Sequence, residues 1–165
     1  MNQLAVTATE TAGMPRAEAF LRAGEQYLMA DDPAAAVSGF RRAMADGGPV
    51  FVDPRVPLAR ALFQLGRDAE AQALIARLKE EEPGDPRVYD LVAELLVDRS
   101  DLSGALGWAT TGVELCLRQA AGPVPAQPQG SDDESELRLL LSLRYRIRND
   151  LGLPEDSYDE MLDEA

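Results

Sequence analysis

The sequence has no histidine and one cysteine, Cys116, among its 165 residues. Without histidine it lacks the side chain that most often serves as general base or metal ligand near neutral pH. A single cysteine cannot form an intramolecular disulfide, which fits a reducing compartment. Cys116 follows Val113 and Leu115 in a helical pattern and reads as a small buried hydrophobe rather than a nucleophile. No glycine-rich phosphate loop, zinc-ligand spacing or EF-hand pattern occurs. No apolar stretch approaches the roughly 18 to 20 residues that span a bilayer. The start, Met1 to Glu10, has neither the basic region nor the apolar run of a signal peptide. These absences point away from catalysis, and neither cofactor nor metal is expected. The reading is a bacterial-type cytoplasmic protein that is not an enzyme.

Positive charge is also scarce, with 16 Lys and Arg against 29 Asp and Glu and a formal net charge of −13. Nucleic acids and anionic membranes bind concentrated Lys/Arg surfaces, so neither is an expected partner. A neutral to basic polypeptide with apolar anchors fits better, and self-association is left open. Glu80-Glu81-Glu82 and Asp132-Asp133-Glu134 read as solvated ends and linkers. Arg144, Arg146 and Arg148 lie in a strongly acidic segment and read as internal ion-pair partners.

Aromatic residues make up only 5 %, whereas hydrophobic residues make up 45 % and alanine is abundant. A packed core is therefore within reach, and small side chains suit closely approaching helices. Asp32-Pro33, Asp53-Pro54 and Asp85-Pro86 mark helix starts, because Asp accepts from an orphan N–H and Pro supplies the helical φ without wasting a donor. Asp68 and Asp101 read as caps without the proline. Six helices are expected as three hairpins: about 15–30 with 33–46, 54–65 with 68–81, and 86–98 with 101–119. Pro57 either removes a first-turn bond of the third helix or starts it. Residues 1–13 read as a flexible N-terminus, and the Pro/Gly-rich stretch 120–133 as a linker. A further helix is expected from about residue 134, ending at Gly152-Leu153-Pro154. An acidic tail, 153–165, follows.

Small residues recur in phase: Ala36, Ala71 and Ala105 are 35 and 34 residues apart. Around the first lie Phe20, Ala23-Gly24, Tyr27, Phe40 and Ala43. In the second hairpin Leu58-Ala59, Leu62, Gly66, Ile75 and Pro83 match, and in the third Tyr89, Val92-Ala93 and Leu96. Ala109 and Gly112 replace larger residues, and Trp108 stands beside that space. A small residue lets the second helix lie close to the first, and the larger one four positions on is expected to plug the gap between repeats. Accidental spacing in an amphipathic bundle is the alternative.

This pattern resembles the tetratricopeptide repeat family, whose unit is a 34-residue helix–turn–helix. The resemblance covers roughly residues 16–119. It implies an all-α, right-handed α-solenoid of three repeats, about 15–48, 53–83 and 86–119. The helix of 134–152 would cap the last repeat or, tethered by its linker, bind a partner. It also implies a concave groove, lined by the first helix of each hairpin, that binds a polypeptide segment. Its transferred residues are Leu21, Glu25 and Leu28, then Arg60, Phe63 and Gln64, then Leu91, Glu94, Val97 and Asp98. The carboxylate clamp of one subgroup is missing, since its positions hold Leu21, Glu25, Pro57, Arg87 and Leu91. The expected function is a non-catalytic adaptor. A secretion-type chaperone for an extended client and a regulatory subunit of an enzyme or transcription factor are the alternatives.

Overall fold

The structure, a computed structural model, describes residues 14–122 and 130–162, with side chains from residue 134 in the second stretch. The expected N-terminal segment 1–13, residues 123–129 of the linker and the last three residues lie outside the described residues. Those described form eight helices and no strand. The chain divides after Glu82 into two compact units.

The first unit contains α1 (Arg16–Met29), α2 (Pro33–Asp46), α3 (Arg55–Gln64) and α4 (Asp68–Glu81). Each packs against the next. Asp32 caps α2 by accepting from the Ala35 N–H at 3.0 Å. Asp53 accepts from the Arg55 N–H at 3.0 Å, one residue upstream of the cap position at Pro54. Pro57 is the third residue of α3, where an N–H finds no acceptor inside the helix, so the proline is accommodated without a break. Asp68 differs from expectation. It is the first residue of α4 rather than its cap, and the cap position, Arg67, makes no side-chain capping bond. The Asp68 and Glu70 carboxylates instead stand in the first turn, where the helix dipole favours negative charge.

The repeat is written in the backbone as well as in the side chains. Asp31, Gly66 and Ser100 take left-handed φ values of 58°, 70° and 62°, with the same 35- and 34-residue spacing as the alanines. At each turn the left-handed residue donates its N–H to a carbonyl three back: Asp31 to Leu28, Gly66 to Phe63, Ser100 to Val97. The next residue donates five back: Asp32 to Tyr27, Arg67 to Leu62, Asp101 to Leu96, at 2.8–2.9 Å. That pair of bonds satisfies the last carbonyls of the first helix and turns the chain into the second.

Helices α1 and α2 meet through glycines. A Cβ on Gly39 would lie 2.9 Å from Gly24 Cα, and one on Gly24 would lie 2.5 Å from Phe40 Cε1. Phe40, fully buried, therefore rests on the glycine of its own hairpin, where the sequence suggested a plug between repeats. Ala36, Ala59, Ala61 and Ala71 are likewise removed from solvent.

The second unit contains α5 (Pro86–Asp98), α6 (Leu102–Ala120), α7 (Gly130–Asp150) and α8 (Ser157–Glu160). Asp85 and Asp101 cap α5 and α6, accepting from Arg87 and Gly104 N–H groups. Tyr89 and Trp108 stack obliquely, centroids 5.3 Å apart. Helix α7 packs on α6 and α5 and begins at Gly130, inside the expected linker. Its Leu140 enters the space over Gly112, where an added Cβ would lie 2.9 Å from Leu140 Cδ2 and 2.8 Å from Tyr89 Cβ. Gly112 stands where the earlier hairpins carry Ala43 and Leu78. The atoms nearest an added Cβ belong to Leu140 and Tyr89, so the missing side chain of α6 is supplied by α7, with Trp108 packed on Tyr89.

The expected acidic tail is folded up to residue 162. Gly152, at φ 67°, ends α7 and turns the chain back. Arg144, only 4 % exposed, donates from Nε to Thr110 Oγ1 and from Nη1 to Asp156 Oδ1 and Asp159 Oδ1, all within 3.1 Å. Arg148 reaches Asp159 Oδ2 and the Pro154 carbonyl. Asp156 and Asp159 cap α8 reciprocally, and the Arg144 guanidinium covers the Tyr158 ring at 4.8 Å. Charge-neutralised pairing is what lets these groups leave water.

Candidate functional site

The ten residues proposed for a partner fall on α1 and α3 of the first unit and on α5 of the second. Two of them are structural. Leu21 is 1 % exposed and Phe63 8 %, so both belong to the hydrophobic interior. Glu25 and Gln64 are exposed, and Leu28 and Arg60 half-buried. On α5, Glu94 and Asp98 are exposed, while Leu91 and Val97 are half-buried. The first helices therefore present carboxylates and amides to solvent with apolar side chains partly accessible between them.

In the first unit a cleft of about 290 Å³ opens between α1 and the loop joining α2 to α3. Its floor is Leu21 and its walls include Glu18, Glu25, Met29, Phe51 and Val52. Glu18 is buried, with Oε1 3.0 Å from Arg22 Nε and Oε2 2.9 Å from the Phe51 N–H. Burial alone would push its carboxyl up. The Phe51 amide and Arg22 outweigh that and hold it below the ordinary glutamate value. Glu25 goes the other way: although the residue is exposed, partial desolvation of its carboxyl against the cleft wall and then the Glu18 charge raise it, against a weaker pull from Arg22.

In the second unit, acidic groups gather where α5 meets α7. Burial, then Glu94, lift the Asp90 carboxyl from 3.8 to about 6, opposed by Arg146. Glu136 on α7 is raised by burial, then by Asp90 and Asp85, opposed by Arg87. Its Oε1 is shielded from solvent and has no hydrogen-bond partner among the described residues.

Sequence reasoning placed Leu21, Glu25 and Leu28 of the first helix in the groove but did not reach Phe51. An aromatic residue directly after Gly47-Gly48-Pro49-Val50 is the available signal, because a large apolar side chain in a turn-forming stretch has no helix face to bury. Cys116 lies buried in α6. Among the described residues no three His, Cys, Asp or Glu side chains are grouped to hold a metal ion. No described helix is long and apolar enough to cross a membrane.

Comparison with known proteins adds two findings. A tetratricopeptide repeat family model matches residues 27–95. That span runs from the end of α1 into α5 and includes the turns at Asp31 and Gly66. The chain is also similar to a chorismate synthase of Korarchaeum cryptofilum (strain OPF8), 31 % identical over 109 residues. That similarity covers 62 % of this chain and 29 % of that protein, so the chain spans less than a third of its relative's length.

Proposed function

We propose that this chain, whose residues 27–95 match a tetratricopeptide repeat family model, is a non-catalytic adaptor binding a polypeptide segment. Such repeats generally mediate protein–protein interaction, and the right-handed stacking they imply, with α7 capping the last hairpin, is part of the proposal. The observation that carries it is the threefold recurrence of the Asp31, Gly66 and Ser100 turns. That recurrence makes α1, α3 and α5 equivalent first helices, and their exposed residues the equivalent places for a partner. The contacts are Glu25, Leu28, Arg60, Gln64, Leu91, Glu94, Val97 and Asp98. Leu21 and Phe63 support them from the interior. Cytoplasmic location and a neutral to basic client belong to the same reading, since acidic rims repel acidic partners.

Chorismate synthase activity is not part of it, because the similarity covers only 29 % of that enzyme. Affinity purification from the native cell with mass spectrometry identifies the client. Glu25→Lys and Glu94→Lys should then slow association and flatten its salt dependence, as rim charges steer encounter. A client that binds both variants at the wild-type rate and affinity would remove these helices from the interface. Recovery of secretion machinery would favour the chaperone alternative, and recovery of an enzyme or transcription factor the regulatory one.

A further inference from the structure

The polypeptide-binding reading can be made local in the first unit, and the site inferred there rests on that reading. Glu18 spends one carboxylate oxygen on the Phe51 backbone amide, so the loop between α2 and α3 is fastened to α1 at an aromatic residue. The fastening is internal and the ring points out: Phe51 is 68 % exposed, and Met29, near the end of α1, is 80 % exposed. These are the two most exposed large hydrophobic side chains among the described residues. Both line the same cleft. Exposed apolar groups gathered at one polar-rimmed place mark interaction sites more often than single ones do.

Charge selects the occupant. Arg22, the cation of the cleft, is committed to Glu18 at 3.0 Å. Glu25 stands one turn further along α1, in the same cleft, with no ion-pair partner among the described residues. Partial desolvation and the Glu18 charge disfavour its ionised form more than the nearby Arg22 favours it. A lysine or arginine brought alongside would relieve that cost, whereas an acidic segment would add to it. The aliphatic side of the same segment would cover Phe51 and Met29.

We propose that the cleft between α1 and the α2–α3 loop docks a polypeptide segment that pairs a large apolar side chain with a lysine or arginine. Phe51 and Met29 hold the apolar group, and Glu25 holds the cation. Glu18 positions the loop from behind.

The test uses the isotopically labelled full chain and two peptides, acetyl-Leu-Lys-Leu-Leu-Lys-Leu-amide and its counterpart with glutamate for lysine. The lysine peptide should shift the amide resonances of Glu25, Gln26, Met29, Phe51 and Val52, and the glutamate peptide should not. Phe51→Ala should weaken the lysine peptide about tenfold, the cost of an interface aromatic, at an unchanged melting temperature. Glu25→Gln should weaken it and reduce its salt dependence. Equal shifts with both peptides would overturn the proposal, as would wild-type affinity in Phe51→Ala. Shifts confined to α3 or α5 would overturn this site and leave the broader reading standing. No shift anywhere would overturn this site and count against both. Shifts of Phe51 that grow with protein concentration alone would make a second copy the occupant, and would overturn it too.

Discussion

Replacing Leu140 with alanine, alone and together with Gly112→Ala, probes how α7 completes the packing of α6. Leu140 is fully buried, and truncating a leucine in such a site costs about 2 to 5 kcal/mol. Gly112→Ala has two opposed effects. It favours the helix by roughly 0.5 to 1 kcal/mol. It also places a methyl 2.8 Å from Tyr89 Cβ and 2.9 Å from Leu140 Cδ2, an overpacking that costs about 1 to 3 kcal/mol. The single change should therefore destabilise modestly. In the double variant the new methyl finds the space that Leu140 has vacated, although the Tyr89 contact remains. The double loss should fall short of the sum by about 1 kcal/mol, the range typical of touching residues. Urea unfolding followed by Trp108 fluorescence reads this directly, because Trp108 is the only tryptophan and packs on Tyr89. Additivity within about 0.3 kcal/mol would show that Leu140 does not occupy the place of the missing Gly112 side chain.

Four further outcomes are expected. Gly66→Ala should cost about 1 kcal/mol, because φ of 70° is left-handed, while Ser100→Gly at 62° should stabilise by a smaller amount; thermal melts of opposite sign check the turns. Between about pH 4 and 6 the native Asp90, raised to about 6, holds a proton that the unfolded chain releases, so its contribution to stability falls as pH rises through that window. Asp90→Asn should accordingly stabilise by about 1 kcal/mol at pH 7, allowing for solvent access, and change little at pH 4; equal effects at both would refute the assignment. Arg144→Ala should cost about 1 to 3 kcal/mol, because the buried Asp159 loses one of its two cations and keeps only Arg148, and should speed hydrogen exchange in residues 154–162. Asp156, held near 2 chiefly by Arg144, should add stability above pH 4 that is lost as pH falls toward 2.

The hairpins were legible because their signals are local. A cap such as Asp32 or Asp101 acts on residues three away, and Ala36, Ala71 and Ala105 repeat at a fixed step. Asp68 misled because an acidic residue is equally at home as a cap or in the first turn, and the choice depends on how tightly Gly66 closes the preceding turn. The folded tail was not legible. Asp156 and Asp159 look like solvated charge until Gly152 brings them back against Arg144, which itself reaches Thr110 on another helix. Leu21 and Phe63 were assigned to the groove by position in a repeat, yet position gives only the direction of a side chain from the helix axis. Whether that direction meets solvent depends on neighbours, and both are buried. Phe51 carried no periodic signal, because its placement comes from one backbone bond to Glu18, a residue 33 positions earlier.

Site-specific photo-crosslinking in the native cell tests the central claim most directly. A photoreactive phenylalanine analogue would be placed at exposed positions of the first helices, Gln26, Gln64 and Glu94, and at exposed positions of the second helices, Gln72 and Glu114. An adaptor that holds its client on α1, α3 and α5 predicts a shared crosslinked polypeptide from the first set and none from the second. Crosslinks arising only from Gln72 and Glu114, or from no position, would contradict it.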